Sequence, residues 1–104
     1  MTLDEAKFVT VSGIAVPAAG APALEEAMRN RIGLVEGEPG FGGLQVWRPL
    51  RSGDPYRMVT WWTAEQAFRD YMRSEAHHAS HARTPHGPDG PRPAGLDRYW
   101  CIAH

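Results

Sequence analysis

Apolar and polar residues alternate from Lys7 to Val16 (KFVTVSGIAV), with β-branched side chains prominent. A period of two predicts a first strand. Phe8, Thr10, Ser12, Ile14 and Val16 then share one face, and Val9, Val11, Gly13 and Ala15 the other. Ser12 is a polar residue on a face that should be covered. Beyond the turn at 17–21 the period lengthens. Pro22 suits the first position of a helix, with Glu25 and Glu26 in its first turn and Arg29 and Arg31 near its end, where the helix dipole favours each sign. Leu24, Met28, Ile32 and Val35 form the apolar stripe. Gly33 weakens this helix and Gly37 stops it. The turn at 38–43 leads to a second strand, Leu44 to Leu50. The turn at 51–55 leads to a third, Tyr56 to Trp62.

A second helix follows at once. Thr63 is the expected N-cap, with Gln66 as its capping-box partner. Ala64, Ala67, Phe68 and Tyr71 fall at i, i+3, i+4 and i+7, one buried face. Continued towards Arg83, the helix carries His77, His78 and His81. Unbroken, it sets His81, ten residues after Tyr71, near the same wall of a pocket; Ser74 is where it would break. Residues 84–95 are rich in proline and glycine and read as an exposed loop able to cover a pocket. Leu96 to Ala103 is the last strand.

The order β-α-β-β-α-β predicts an α+β, ferredoxin-like split arrangement. Its sheet is four-stranded and antiparallel, with both helices on one face. Trp47, Val59, Trp61 and Tyr99, with Val9 and Val11, would leave the other face apolar. A homodimer that packs two such sheets face to face, a dimeric α+β barrel, would cover it.

Composition narrows the function. The 104 residues, 42% of them hydrophobic, suit one domain over 1–104, with 1–6 as a tail. Eleven basic against twelve acidic residues give a net charge of −1, which points away from nucleic acid and from anionic membranes. Cys101 is the lone cysteine, so neither an internal disulfide nor a multi-cysteine zinc site is expected. The acidic MTLDEAKF start, without an apolar run, is unlike a signal peptide, so a cytoplasmic protein is expected.

Candidate chemistry centres on the histidines. By spacing alone, His77, His78 and His81 are solvated residues at a helix end, favoured there by the dipole. His81 as an axial ligand to heme iron, with an aromatic ring beside the macrocycle, is the second reading. A transition-metal pair of His77 and His81 is the third.

EGEPGFGGLQVWRP followed by YRMVTWWTAEQAFRDYMRSEAHHASHAR resembles the antibiotic biosynthesis monooxygenase superfamily of dimeric ferredoxin-like proteins. The matching features are Pro39-Gly40-Phe41, Trp62, Ala67-Phe68 and Tyr71, within a resemblance spanning about residues 8 to 103. Within the superfamily the chain is most similar to the bacterial Isd-type heme-degrading branch. That resemblance implies heme between helices and sheet, with His81 as iron ligand and His77 and His78 as surface residues. It sets Tyr71 at the position of a tryptophan under the porphyrin, and Ser12 at that of an asparagine on the first strand. Phe68 and Trp100 would border the ring. The implied function is opening of the porphyrin with oxygen and electrons from an external donor, releasing iron. Two alternatives stay open: a cofactor-independent monooxygenase acting on a quinol or polyketide-like aromatic, and a non-enzymatic dimer that binds heme or another small ligand.

Overall fold

The computed structural model describes residues 7–31, 35–74, 77 and 87–103. The elements are β1 (Phe8–Ala15), a short 3-10 turn (Ala18–Gly20), α1 (Ala21–Arg31), β2 (Phe41–Trp47), β3 (Tyr56–Trp62), α2 (Glu65–Met72) and β4 (Arg92–Trp100). The strands form one antiparallel sheet in the order β2-β3-β1-β4, and the two helices lie on one face of it. The order is the ferredoxin-like one the alternation predicts.

The barrel part of that expectation is overturned. β2 and β4 are the two ends of an open sheet and do not pair with each other. With β2 and β4 each paired on one side only, the sheet keeps two edges.

The helix-facing side of the sheet holds the core in two clusters. Phe8, Val35 and Trp62 gather Phe41, Leu44, Ala67, Phe68 and Tyr71 around them. Leu24, Met28 and Tyr56 gather Ile14, Val16, Ala21, Val46 and Met58. Trp62 and Leu24 are fully buried. Ile32, placed by periodicity on the α1 stripe, lies outside the described residues.

Several boundaries differ from the expected ones, each for a local reason. α2 starts at Glu65 with Ala64 as N-cap and no side-chain cap. Thr63 stands one residue before that cap, and its backbone N–H, the group a capping-box partner would reach, donates to the Gly40 carbonyl at 2.9 Å. Gln66 donates to Asp70 at 2.8 Å rather than closing a capping box. The Gly40 position demands glycine: its φ is +78°, and a Cβ there would come within 2.6 Å of the Ala67 Cβ and 2.8 Å of the Thr63 hydroxyl. The turn is thereby pinned beneath the start of α2. β2 begins earlier than expected, at Phe41, and absorbs the glycine pair through a register shift between Phe41 and Gly43. β4 begins at Arg92, inside the stretch read as loop, and ends at Trp100. Pro93 is tolerated there because β4 is an edge strand, where a missing N–H breaks no inner ladder.

Glu25 does not serve the helix dipole, since α1 opens at Ala21 and has no acidic residue in its first turn. It clamps α1 to the sheet instead. Its carboxylate accepts from Arg48 Nε at 2.8 Å and also from Arg48 Nη2. The Tyr56 hydroxyl donates to it at 2.5 Å, and Arg29 lies 3.4 Å away. Arg48 first, and then Tyr56, hold its pKa near 2 against an ordinary 4.5. A depressed carboxyl pKa stabilises the fold above 4.5, and that contribution fades as pH falls from 4.5 towards about 2. The expected result is that Glu25→Gln lowers the urea midpoint at neutral pH and flattens its fall through this acid window. Parallel acid profiles for the two proteins would contradict the clamp.

Candidate functional site

Between the sheet and α2 lies a cavity of about 650 Å³, a size typical of small-molecule sites. Strand alternation builds its sheet wall: Thr10, Ser12 and Ile14 from β1, Met58, Thr60 and Trp62 from β3, and Leu96 from β4 all line it. Phe68, Tyr71 and Met72 contribute from α2 and Met28 from α1. Pro91, Arg92, Pro93 and Gly95 also border it, where β4 starts. The register shift between β1 and β4 falls at Ser12 and Ile14, beside Gly95 with its φ of +101°. Most of the wall is carbon, so the cavity suits a largely apolar occupant.

The aromatic end is rigid. Trp62 meets Tyr71 at 5.3 Å and Phe68 at 5.9 Å between ring centroids, and Phe41 edge-on at 5.4 Å. Such offset and edge contacts add to simple burial. Tyr71 therefore presents its ring in a fixed orientation.

The helical run breaks after α2 at the serine the sequence marked as the break point. The helix stops at Met72, and Arg73 is its C-cap. Ser74 makes the stop: its hydroxyl donates to the Tyr71 carbonyl at 2.6 Å and accepts from the His77 N–H at 3.1 Å. His77 is thereby turned into the cavity wall, half-buried, with its ring edge-on to Tyr71 at 5.1 Å. His77, expected at the surface, is instead half-buried in the cavity wall, and the helix breaks at Ser74, where the sequence marked the break. Ten residues at about 100° each also fall about 80° short of whole turns, so even a continuous helix would not have aligned His81 with Tyr71.

Of the residues singled out in the sequence, the structure brings Ser12, Phe68 and Tyr71 together in one cavity. Trp100 is outside the lining; it is 63% exposed and packs edge-on against Phe8 at 5.4 Å. His81 and His78 lie outside the described residues. Sequence reasoning missed His77, and it missed a hydroxyl pair in the sheet wall, Thr10 and Thr60. A serine that can bond both ways was the available signal for the first. The second needs the strand register. Among the described residues, no three His, Cys, Asp or Glu side chains converge as a metal site, and no helix is long and apolar enough to cross a membrane.

With an open ferredoxin-like sheet, an apolar cavity under α2 and the Pro39-Gly40-Phe41 turn in place, the class is defined. The family model for antibiotic biosynthesis monooxygenases matches residues 8–83, and the chain belongs to that family. Its similarity extends to particular members. It is 37% identical over 79 residues to a mycobilin-producing heme oxygenase of Mycobacterium tuberculosis, covering 74% of this chain and 75% of that protein. The structure of the heme-degrader MhuD from Mycobacterium tuberculosis, with two hemes bound in its active site, superposes with a TM-score of 0.76. There the identity is 31%, covering 93% of this chain and 97% of that one. SnoaB, a cofactor-independent oxygenase of Streptomyces nogalater, has a TM-score of 0.74 at 15% identity, over 95% and 96% of the two chains, and shares the fold.

Proposed function

We propose that this chain is a heme-degrading monooxygenase that takes heme as its substrate, opens the porphyrin with oxygen and electrons from an external donor, and releases iron. The observation that carries the reading is the apolar, aromatic-walled cavity of about 650 Å³ in a chain 37% identical to a heme oxygenase. The residues present fit a porphyrin. Met28, Met58, Ile14 and Leu96 offer apolar surface, and Phe68 and Tyr71 offer aromatic faces. A histidine from the segment after α2 holds the iron. The family resemblance gives that role to His81, while His77 braces Tyr71 from the wall. Tyr71 presses on the ring, and Ser12 supplies a hydroxyl from the opposite, sheet side. Titration of the purified protein with hemin tests the binding step: a saturable Soret band with a fixed stoichiometry is expected. Featureless, non-saturating absorbance would sink it and favour a cofactor-independent oxygenase.

The protein works as a homodimer in this reading, joined through the sheet face turned away from the helices. Val9 lies between Trp61 and Tyr99 in the register, whereas Val59, expected on the same surface, is already buried within the single chain. Trp47 is 49% and Tyr99 54% exposed in the single chain, an apolar surface that water disfavours. Trp61→Asp puts a charge without a partner into that interface. Sedimentation should show a dimer for wild type and a monomer or unfolded chain for the variant. A wild-type monomer at micromolar concentration would remove the proposal.

A further inference from the structure

Thr10 on β1 and Thr60 on β3 stand directly opposite each other. Their hydroxyl oxygens are 2.6 Å apart, and both residues line the cavity although they are only 2% and 6% exposed. The indole N–H of Trp62, itself fully buried, donates to the Thr60 oxygen at 2.9 Å. The hydrogen count has a consequence. Each threonine hydroxyl carries one hydrogen and two acceptor lone pairs, whereas an indole N–H can only donate. The pair therefore has two hydroxyl hydrogens and uses one of them between its members. If Thr60 donates to Thr10, the Thr10 hydrogen remains. If Thr10 donates to Thr60, the Thr60 oxygen has accepted twice and its own hydrogen remains. Either way one O–H is left over, and among the described residues no side chain takes it.

We propose that the Thr10–Thr60 pair is a hydrogen-bond donor aimed into the cavity, which fixes an oxygen or other small acceptor held on the sheet-facing side of the bound substrate. Its position supports this role. Thr10 and Ser12 are two residues apart on one face of β1, so the two hydroxyls form a short polar strip in an apolar wall. Bulk water is excluded from the pair, so its remaining hydrogen bond is not weakened by competing solvent. Trp62 sets the direction: by occupying one lone pair of Thr60 it restricts how that hydroxyl can turn. Thr10 is the residue that meets the acceptor in the first hydrogen arrangement and Thr60 in the second, while Trp62 acts through them as a positioning residue.

The inference rests on the heme reading. In that reading the strip of Thr10, Thr60 and Ser12 would face the bound ring from the sheet side of the cavity. Carbon monoxide bound to the reduced heme complex then serves as the probe, because a donor near its oxygen lowers the C–O stretching frequency. Thr10→Val combined with Thr60→Val, which keeps the shapes and removes both hydroxyls, is expected to raise that frequency, and Thr10→Ser combined with Thr60→Ser to restore it. Fluoride affinity of the ferric complex should fall about tenfold in the double valine variant, the scale of one hydrogen bond to an anion. Thermal melting of each variant separates loss of the donor from loss of the fold. Should the double valine variant fail to fold, Ser12→Ala in light and heavy water decides the matter. A solvent-isotope shift of the C–O stretch that persists without the Ser12 hydroxyl supports the pair, and its absence overturns it. Hemin binding with an unchanged stretch in a folded double valine variant overturns the donor alone. No hemin binding by wild type overturns both the donor and the heme reading.

Discussion

Replacing His81 by alanine is expected to abolish the histidine-ligated heme spectrum, while His77→Ala leaves it in place. The assignment follows from the family position of His81 and from what His77 already does. Its backbone N–H is tied to Ser74 and its ring stands edge-on to Tyr71. Hydrophobic porphyrin binding can survive loss of the ligand, so the ligand-sensitive bands decide, rather than affinity. His77→Ala should still disturb the site, since Tyr71 loses its brace, and turnover should fall more than binding. The reverse pattern, with the spectrum lost in His77→Ala and kept in His81→Ala, would move the iron ligand to His77.

The second large effect is structural. Trp62→Ala removes the most buried large side chain of the aromatic cluster, together with its contacts to Phe41, Phe68 and Tyr71 and its hydrogen bond to Thr60. Large-to-small changes of this kind cost about 3–5 kcal/mol, against a total stability of about 5–15 kcal/mol for a domain. In a chain of this size that corresponds to a drop of about 15 °C or more in melting temperature. Heme binding should weaken too, because Tyr71 loses the plane it rests on. A melting temperature within a few degrees of wild type would mean that the cluster does not organise the domain.

The order of elements is legible in the sequence because strands and helices repeat at different periods. β3 is the clearest case, with the expected Tyr56 to Trp62 matching the observed strand. The stripe Ala67, Phe68 and Tyr71 is legible for the same reason, and all three pack on the core. The misreadings sit where a local signal was overruled by a distant partner. Thr63 has the chemistry of a cap, but its N–H is taken by Gly40, a contact that exists only once β2 and β3 pair. Glu25 reads as a dipole residue until Arg48 and Tyr56 arrive from other elements. Proline and glycine read as loop through 84–95, yet an edge strand accepts Pro93 because nothing needs its missing N–H. The break at Ser74 was legible, but the inward turn of His77 was not, because it depends on the ring of Tyr71 and on the Ser74 hydroxyl that accepts its N–H. The Thr10–Thr60 pair has no local signature at all. It appears only when residues fifty apart in the chain are brought opposite each other.

The central claim is that this cavity degrades heme. The most direct measurement is a turnover of the hemin-loaded protein with a chemical reductant, in air and under argon, with a ferrous chelator present. In air the Soret band should disappear, a linear tetrapyrrole product should form and the chelator should capture iron in proportion to heme lost; under argon the Soret band should remain. A loaded protein whose Soret band persists in air with reductant, and which yields no chelatable iron, would contradict heme degradation and leave a heme binder.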